Sequence, residues 1–375
     1  MIHTKFQEII GTKYPIIQAG MGPYSTNNLC IAAAKAGALG NISTVGMAAG
    51  LATPKEAENV FGQGKPKDIL KKVIEYVYNH LKDSPDAKFG VNIPVSSDFI
   101  FAAKRFVQGV IEILNEKPEI RKNLAVVITS AGDPLPWAID AKTKGAKKGR
   151  IPIKKRLPEI TWCHVCPNVR GAKRAEKAGV DIVIASGREG GAHCAWRDVS
   201  SMVLLPETVK SVNKPVVGAG GFADGASLAA ALALGAVGIQ MGTRFIATQE
   251  ADFEQKWKNA IIERAEPDTL IARGLFGPMR FLRNPMSLGV LDETIKDASD
   301  LFRGIPCDSN QIIMDLEFEG LRNLMDNSKS ADESIVLGGV VSGRIHTIPT
   351  VKELIEGIMR DAEKIITELP NRLIK

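Results

Sequence analysis

The stretch that decides the fold spans residues 214–245 and reads KPVVGAGGFADGASLAAALALGAVGIQMGTRF. It begins with a short β-branched run and a glycine loop, continues through an alanine- and leucine-rich segment, and ends with a second apolar run and a second glycine loop. This order predicts a strand, a helix and another strand, which is one unit of a parallel sheet. Gly235 stands where the helix should end, and glycine is the preferred residue for a left-handed C-cap.

This unit recurs, because short β-branched runs alternate with segments rich in alanine, lysine and glutamate. Eight runs are predicted as strands: 14–19, 38–42, 88–93, 124–129, 160–165, 180–185, 214–218 and 236–241. The clearest helices between them are 27–36, 68–81, 98–115, 169–178 and 225–234. Eight repeats within about 240 residues match the usual size of a (β/α)8 barrel. We therefore predict an α/β fold, a TIM barrel with a small helical cap near the C-terminus.

A doubly wound sheet is the competing fold, but it needs a G-x-G-x-x-G turn after the first strand. The chain has QAGMGPYS at 18–25 instead, which favours the barrel. Beyond Thr243 the repeat stops: 249–266 is predicted helical, RGLFGPMRFLRNP at 273–285 an irregular loop, and 350–369 a final helix. We expect a barrel over residues 1–249, a small helical cap over 250–335, and a segment, 336–375, that packs back on the barrel.

The composition is typical of a soluble globular protein, since 45% of the 375 residues are hydrophobic and 24% are charged. No apolar run approaches the ~20 residues needed to cross a bilayer, and the N-terminus does not resemble a secretory signal. The five cysteines do not follow a disulfide framework. We expect a cytoplasmic protein with reduced thiols and no membrane partner. A net charge of +6 is too small to indicate nucleic acid.

One strongly basic run covers residues 142–156, with eight lysines and arginines and no acid. Such runs are usually solvated surface. The alternative is a landing patch for an acidic carrier protein or a nucleotide phosphate. Because the run follows a predicted helix, we place it at the face of the barrel away from the active site.

Barrels of this kind build their active sites at the carboxyl ends of the strands, with phosphate bound by the loops after strands seven and eight. Gly220 and Gly221 follow the seventh predicted strand, and Gly242 and Thr243 follow the eighth. Their backbone N–H groups, helped by the helix that starts near Asp224, could surround a phosphate. The alternative is that these glycines only form tight turns.

The loop after the sixth strand, ASGREGGAHCAWRD at 185–198, carries the chemistry. His193 is the predicted acid/base or substrate-orienting group, because an imidazole can take or donate a proton near neutral pH. The alternative is a buried histidine bonded to the backbone. Glu189 either orients His193 or caps a helix, and the sequence favours neither. Cys163 and Cys166 form one C-x-x-C, which is too few ligands for a structural zinc site. We predict that both thiols pack in the core and that the chain has no metal site.

Together these motifs resemble one known family. PIIQAGMG (15–22), FGVNIPV (89–95), VITSAGDP (127–134), GVDIVIASGREGGAH (179–193), residues 214–245 and residues 273–285 keep both the order and the strand-end positions of the nitronate monooxygenase (2-nitropropane dioxygenase) family. That family also contains flavin-dependent enoyl-acyl-carrier-protein reductases and NADH:quinone reductases.

The resemblance implies non-covalently bound FMN, with its phosphate on Gly220, Gly221, Gly242 and Thr243. It places the flavin ring over Met21, Gly22 and Asn92, with Glu189, Gly191 and His193 at its edge. Three positions depart from the family pattern: E-A-G-G-H becomes Glu189-Gly-Gly-Ala-His193, Gly20 replaces a common proline, and an expected glutamine near Gly339 is missing.

The implied function is that of an FMN-dependent oxidoreductase that oxidises a small carbon acid, a nitronate, with dioxygen. The alternative is an NAD(P)H-dependent FMN reductase acting on a quinone or on an enoyl thioester of CoA or of an acidic carrier protein. A third possibility is a non-catalytic barrel that binds a phosphate ligand. The substrate is a small molecule under both enzyme hypotheses, and a homo-oligomer is compatible with either.

Overall fold

The computed structural model describes residues 1–49, 64–97, 99–138 and 150–373. Eight parallel strands close into a barrel in the order β1-β2-β3-β4-β5-β6-β8-β9. The barrel strands are β1 (Ile16–Gln18), β2 (Leu39–Ser43), β3 (Lys88–Pro94), β4 (Leu124–Ser130), β5 (Thr161–Cys166), β6 (Ile182–Ser186), β8 (Val216–Ala219) and β9 (Gly238–Met241). The closing pair β9–β1 includes Met241 opposite Gln18. The predicted TIM barrel and its eight strands are confirmed.

Helices surround the barrel and connect its strands. They are Lys5–Ile10, Asn27–Lys35, Val45–Ala49, Pro66–Leu81, Ile100–Glu116, Ile153–Arg156, Val169–Ala178, Ser201–Ser211, Gly225–Ala233 and Thr243–Ile246. Gly37, Gly179 and Gly235, each between a helix and the next strand, have φ values of +91°, +83° and +92°. These left-handed positions explain why glycine ends the helices. Within the described ranges, no helix is long and apolar enough to cross a membrane.

Two apolar layers stabilise the barrel. Its interior contains Ile17, Val126, Ile184 and Cys163, while a larger layer packs the outer faces of the strands against the helices and includes Cys166. Each fully buried aliphatic side chain contributes about 1.5–3 kcal/mol relative to exposure. Both cysteines are free and buried, and burial raises the pKa of each thiol. The prediction that they pack in the core is confirmed.

The segment predicted as an irregular loop, 273–285, forms most of a β-hairpin instead. Strand β10 (Thr269–Gly274) pairs antiparallel with β11 (Gly277–Leu282), and β11 pairs with β7 (Ala192–His193). The loop prediction is wrong because Gly274, Gly277 and Pro278 are typical of loops and the two strands lack a clear alternating pattern. All six residues of β11 are buried, and in β10 only Thr269 and Ile271 are partly exposed.

The remaining C-terminal elements are helices. Gln255–Ile262 is shorter than the predicted helix 249–266, and Pro285–Asp297 and Gln311–Met325 pack on the hairpin. The last helix, Val351–Leu373, lies against the helix Gly225–Ala233. A Cβ atom on Gly225 would stand 2.6 Å from the Ala362 nitrogen, so the two backbones pack at close range.

Candidate active site

The glycine loops after β8 and β9 form a cradle of backbone donors. Gly220 and Gly221 have φ values of +82° and +86°, and a Cβ atom on Gly220 would lie 2.6 Å from the Gly187 carbonyl oxygen. Among the described residues, the amides of Gly220, Gly221 and Gly242 have no hydrogen-bond acceptor. Free backbone N–H groups in such turns bind anions. The two loops can therefore hold a phosphate.

The C-terminal segment joins this cradle to the loop after β6. The Thr243 hydroxyl oxygen accepts a hydrogen bond from the Gly339 amide at 3.0 Å. A Cβ atom on Gly191 would stand 2.6 Å from the Gly338 carbonyl carbon. The loop after β6, the loop after β9 and the segment around Gly339 therefore meet, and glycine permits their backbones to approach closely. The Thr243 hydroxyl hydrogen remains available to a ligand.

The ends of β1 and β3 form the opposite wall of the cleft. A Cβ atom on Gly242 would lie 3.3 Å from the Met21 sulfur, which places Met21 beside the phosphate cradle. A Cβ atom on Gly20 would stand only 2.4 Å from the Asn92 side chain. This contact explains Gly20 in place of the family's proline. Met21 and Gly22 are partly exposed, although the strands that carry this wall are buried.

Glu189 is held by a helix rather than by the histidine. Its carboxylate accepts hydrogen bonds from the Ser201 amide at 3.0 Å and from the Ser201 hydroxyl at 2.8 Å. The side chain therefore fastens the loop after β6 to the first turn of the helix Ser201–Ser211, where a negative charge is favourable. Of the two roles left open by the sequence, the structure supports the cap.

The helix Gly225–Ala233 was expected to strengthen the phosphate site, but its N-terminus is already capped by Asp224. The Asp224 carboxylate accepts from the Ser227 amide at 2.8 Å and forms an ion pair with Arg344. The expectation that this helix end serves a phosphate is not supported, because Asp224 satisfies it. The cradle consists of the loops instead.

His193 is a strand residue, which the sequence did not indicate. It lies in β7 opposite Met279 of β11, and the neighbouring Cys194 amide donates to the Pro278 carbonyl at 2.8 Å. The residue as a whole retains contact with solvent, although protein atoms surround its ring. The ring of Phe276, in the turn of the hairpin, lies nearly parallel to it with centroids 6.2 Å apart.

The protein environment favours the neutral form of this histidine. Desolvation by neighbouring protein atoms, together with the positive charge of Arg273, lowers the pKa of His193 to about 4. The sequence suggested titration near the ordinary value of about 6.5. At neutral pH the ring therefore has one nitrogen free to accept a proton or a hydrogen bond and another that donates one.

Ala192 is one of the two positions at which the chain departs from the family's E-A-G-G-H motif. Its φ is +62°, the left-handed region, in which a side chain costs about 1–2 kcal/mol. The family's pattern has glycine here and alanine at the position of Gly190. A Cβ atom on Gly190 would find its nearest neighbour at 3.5 Å, which is ordinary contact. The chain thus exchanges the two residues and accepts strain beside His193.

The comparisons with known proteins agree with this geometry. A family model described as nitronate monooxygenase matches residues 3–361. The chain belongs to this family. It is accordingly a flavin-dependent oxidoreductase.

Three relatives show the range within the family. A (3aS,4S,5R,7aS)-5-hydroxy-7a-methyl-1-oxo-octahydro-1H-indene-4-carboxyl-CoA dehydrogenase of Rhodococcus jostii is 29% identical, over 98% of each chain. A probable nitronate monooxygenase of Staphylococcus saprophyticus is 28% identical, over 79% of this chain and 83% of the relative. The structure of FabK from Thermotoga maritima, 28% identical, matches with a TM-score of 0.76 over all of both chains.

The strand ends offer groups suited to a flavin, since the glycine cradle provides backbone donors for its phosphate. Sequence reasoning missed the residues that the hairpin contributes. Phe276 and Arg273 belong to this group, and the Arg273 guanidinium lies 5.3 Å from the ring of Trp196 in the loop after β7. The short apolar runs on either side of Gly-Leu-Phe-Gly, at 270–272 and 281–282, are the signal that could have revealed them.

The basic run contributes nothing to the described cleft. Residues 142–149 lie outside the described ranges. The helix Ile153–Arg156 precedes β5 and therefore lies at the amino end of the barrel, opposite His193. There Lys154 forms an ion pair with Asp181 at 3.0 Å.

Proposed function

We propose that the protein binds FMN and oxidises a small carbon acid of the nitronate type. The observation that carries this proposal is a neutral His193 held by β7 beside a cradle of free backbone amides. The third hypothesis was a non-catalytic barrel that only binds a phosphate ligand. Membership of an enzyme family argues against it.

The phosphate of FMN would be held by the amides of Gly220, Gly221 and Gly242 and by the Thr243 hydroxyl. Met21, Gly22, Asn92 and Gly191 would line the ring, and Glu189 would act indirectly by fixing its loop on Ser201. When bound, FMN would supply the redox chemistry, taking two electrons from the substrate and passing them to dioxygen.

His193 would handle the substrate's proton and charge. A neutral imidazole nitrogen can accept the α-proton of a nitroalkane, and the ring N–H can donate a hydrogen bond to an oxygen of a nitronate. The low pKa keeps this nitrogen unprotonated over the physiological range. Arg273 contributes positive charge near the same ring, which favours an anionic substrate.

The proposal is tested by mixing the purified protein anaerobically with a nitronate, NADH or NADPH and following the flavin absorbance. The rate of anaerobic flavin reduction by ethylnitronate should exceed the rate of ethylnitronate turnover in air. NADH and NADPH should each reduce the flavin slowly. The cofactor released by heat should be FMN, and release of FAD would contradict the phosphate cradle.

The second candidate is an NAD(P)H-dependent reductase of an acyl thioester. The observation that favours it is the near-complete coverage of a relative named for an acyl-CoA substrate. Fast bleaching by NADPH, followed by reoxidation with an enoyl thioester or a quinone, would establish this function in place of nitronate oxidation.

A further inference from the structure

The turn of the β10–β11 hairpin has an unusual composition. Hairpin turns favour glycine, asparagine and aspartate, since these residues suit the backbone and are well solvated. Here the turn is Leu275-Phe276, between Gly274 and Gly277. Two large apolar residues at such a position indicate a surface for contact rather than a simple connection.

The turn is fixed by buried polar contacts. The Leu275 amide donates to the Glu317 carboxylate at 2.5 Å. The Arg273 side chain donates to the Cys307 carbonyl at 2.9 Å and also to the Gly274 carbonyl. Arg273 and Glu317 are both buried. These contacts make the turn a defined wall of the cleft.

Phe276 completes an aromatic group that spans the hairpin and the barrel. Its ring lies 4.5 Å from the ring of Phe99, which follows β3, and 6.2 Å from His193. Phe99 is 8% exposed and Phe276 is 36% exposed. One face of this pair is therefore packed, while Phe276 still presents apolar surface beside the imidazole.

We propose that Phe276, backed by Phe99, is a binding subsite for an apolar ring or branched group that contains or carries the reacting carbon of the substrate. This inference rests on the proposed function and specifies its substrate class. A hydrogen or methyl substituent would leave the Phe276 surface wet, whereas a cyclic substituent would cover it.

The test compares small and bulky ligands in wild type and Phe276→Ala. For ethylnitronate and the nitronate of nitrocyclohexane, we expect wild type to prefer the cyclic substrate in kcat/KM. Phe276→Ala should lower kcat/KM for the cyclic substrate about tenfold or more, the usual scale for losing apolar pocket contact, and for ethylnitronate by less than about threefold. Phe276→Leu should retain part of the preference.

Phe101→Ala is the matched control, because Phe101 lies two residues from Phe99 and is 81% exposed. It should change neither substrate's kcat/KM. Equal losses for both substrates in Phe276→Ala, or no preference for the cyclic one in wild type, would overturn the subsite.

A binding measurement separates the subsite from the reaction. Acetate and cyclohexanecarboxylate each carry a planar, negatively charged CO2 group that resembles the NO2 group of a nitronate, and their binding to the holoenzyme can be followed by the change in flavin absorbance. Cyclohexanecarboxylate should bind more tightly than acetate, and Phe276→Ala should reduce this ratio about tenfold. A reduced ratio in a protein that oxidises no nitronate would support the subsite and refute the proposed function. An unchanged ratio would refute the subsite itself.

Discussion

Two walls of the cleft are built in different ways. The proposed cofactor wall consists of the loops after β8 and β9, in which glycine backbone offers the hydrogen-bond donors. The proposed substrate wall consists of β7, β10, β11 and the turn of the hairpin, which carry His193, Phe276 and Arg273. Backbone donors recognise a phosphate common to every flavin mononucleotide, whereas side chains can change with the substrate. We therefore expect mutations in the first wall to alter flavin retention and mutations in the second to alter turnover.

The largest effect should come from His193→Asn, which tests the substrate wall. Loss of acid–base help should lower turnover of nitroethane about 10²–10⁴-fold, while the flavin stays bound. Ethylnitronate, which has already lost its proton, should be affected less. Equal losses for the two substrates would restrict His193 to orientation, and unchanged turnover would remove it from the mechanism.

Gly242→Asp tests the cofactor wall. A carboxylate about 4 Å from the phosphate costs about 4 kcal/mol at an effective dielectric constant of 20, which weakens flavin binding by roughly 10³-fold. Gly242→Asn is the matched control, since it has the same shape without the charge and should retain most of the flavin. Full flavin absorbance in purified Gly242→Asp would place the phosphate elsewhere.

Glu189→Gln separates the cap from a catalytic role. The charge-assisted hydrogen bonds to Ser201 should weaken, with a loss of about 1–2 kcal/mol in the free energy of unfolding. The position of the acid limb in the pH profile should not move. Ser201→Ala removes the hydroxyl partner and should show a smaller loss of stability. A shifted pH profile in Glu189→Gln would instead link Glu189 to His193.

Ala192→Gly should produce the smallest effect. It relieves left-handed strain of about 1–2 kcal/mol but adds about 0.5–1 kcal/mol of backbone entropy cost, so stability should rise by about 1 kcal/mol or less. Ala195→Gly, at a position without positive φ, should only destabilise. Chemical denaturation of both variants measures the difference, and a clear loss in Ala192→Gly would contradict the strain.

The glycine loops after β8 and β9 were easier to predict from the sequence than the strands that surround His193, for a physical reason. Strands and glycine loops of the barrel repeat along the chain, so local patterns identify Gly220, Gly221 and Gly242. The substrate wall depends on pairing between residue 193 and residue 279, and no local pattern reports such a distant contact. Sequence reasoning therefore found His193 by its motif but missed Phe276 and the strand that holds the histidine. The role of Glu189 also needed the structure, since only the fold brings Ser201 to its carboxylate.

The pH dependence of anaerobic flavin reduction by nitroethane tests most directly whether a neutral His193 handles the substrate's proton. Because the histidine must be unprotonated to accept it, the rate should fall as the pH falls through the pKa of His193. The lowered pKa places this acid limb near pH 4 rather than near 6.5, and His193→Asn should abolish it. The assignment would be contradicted if the acid limb persisted in His193→Asn. It would also be contradicted if the wild-type rate were independent of pH between 4 and 7 and His193→Asn were fully active.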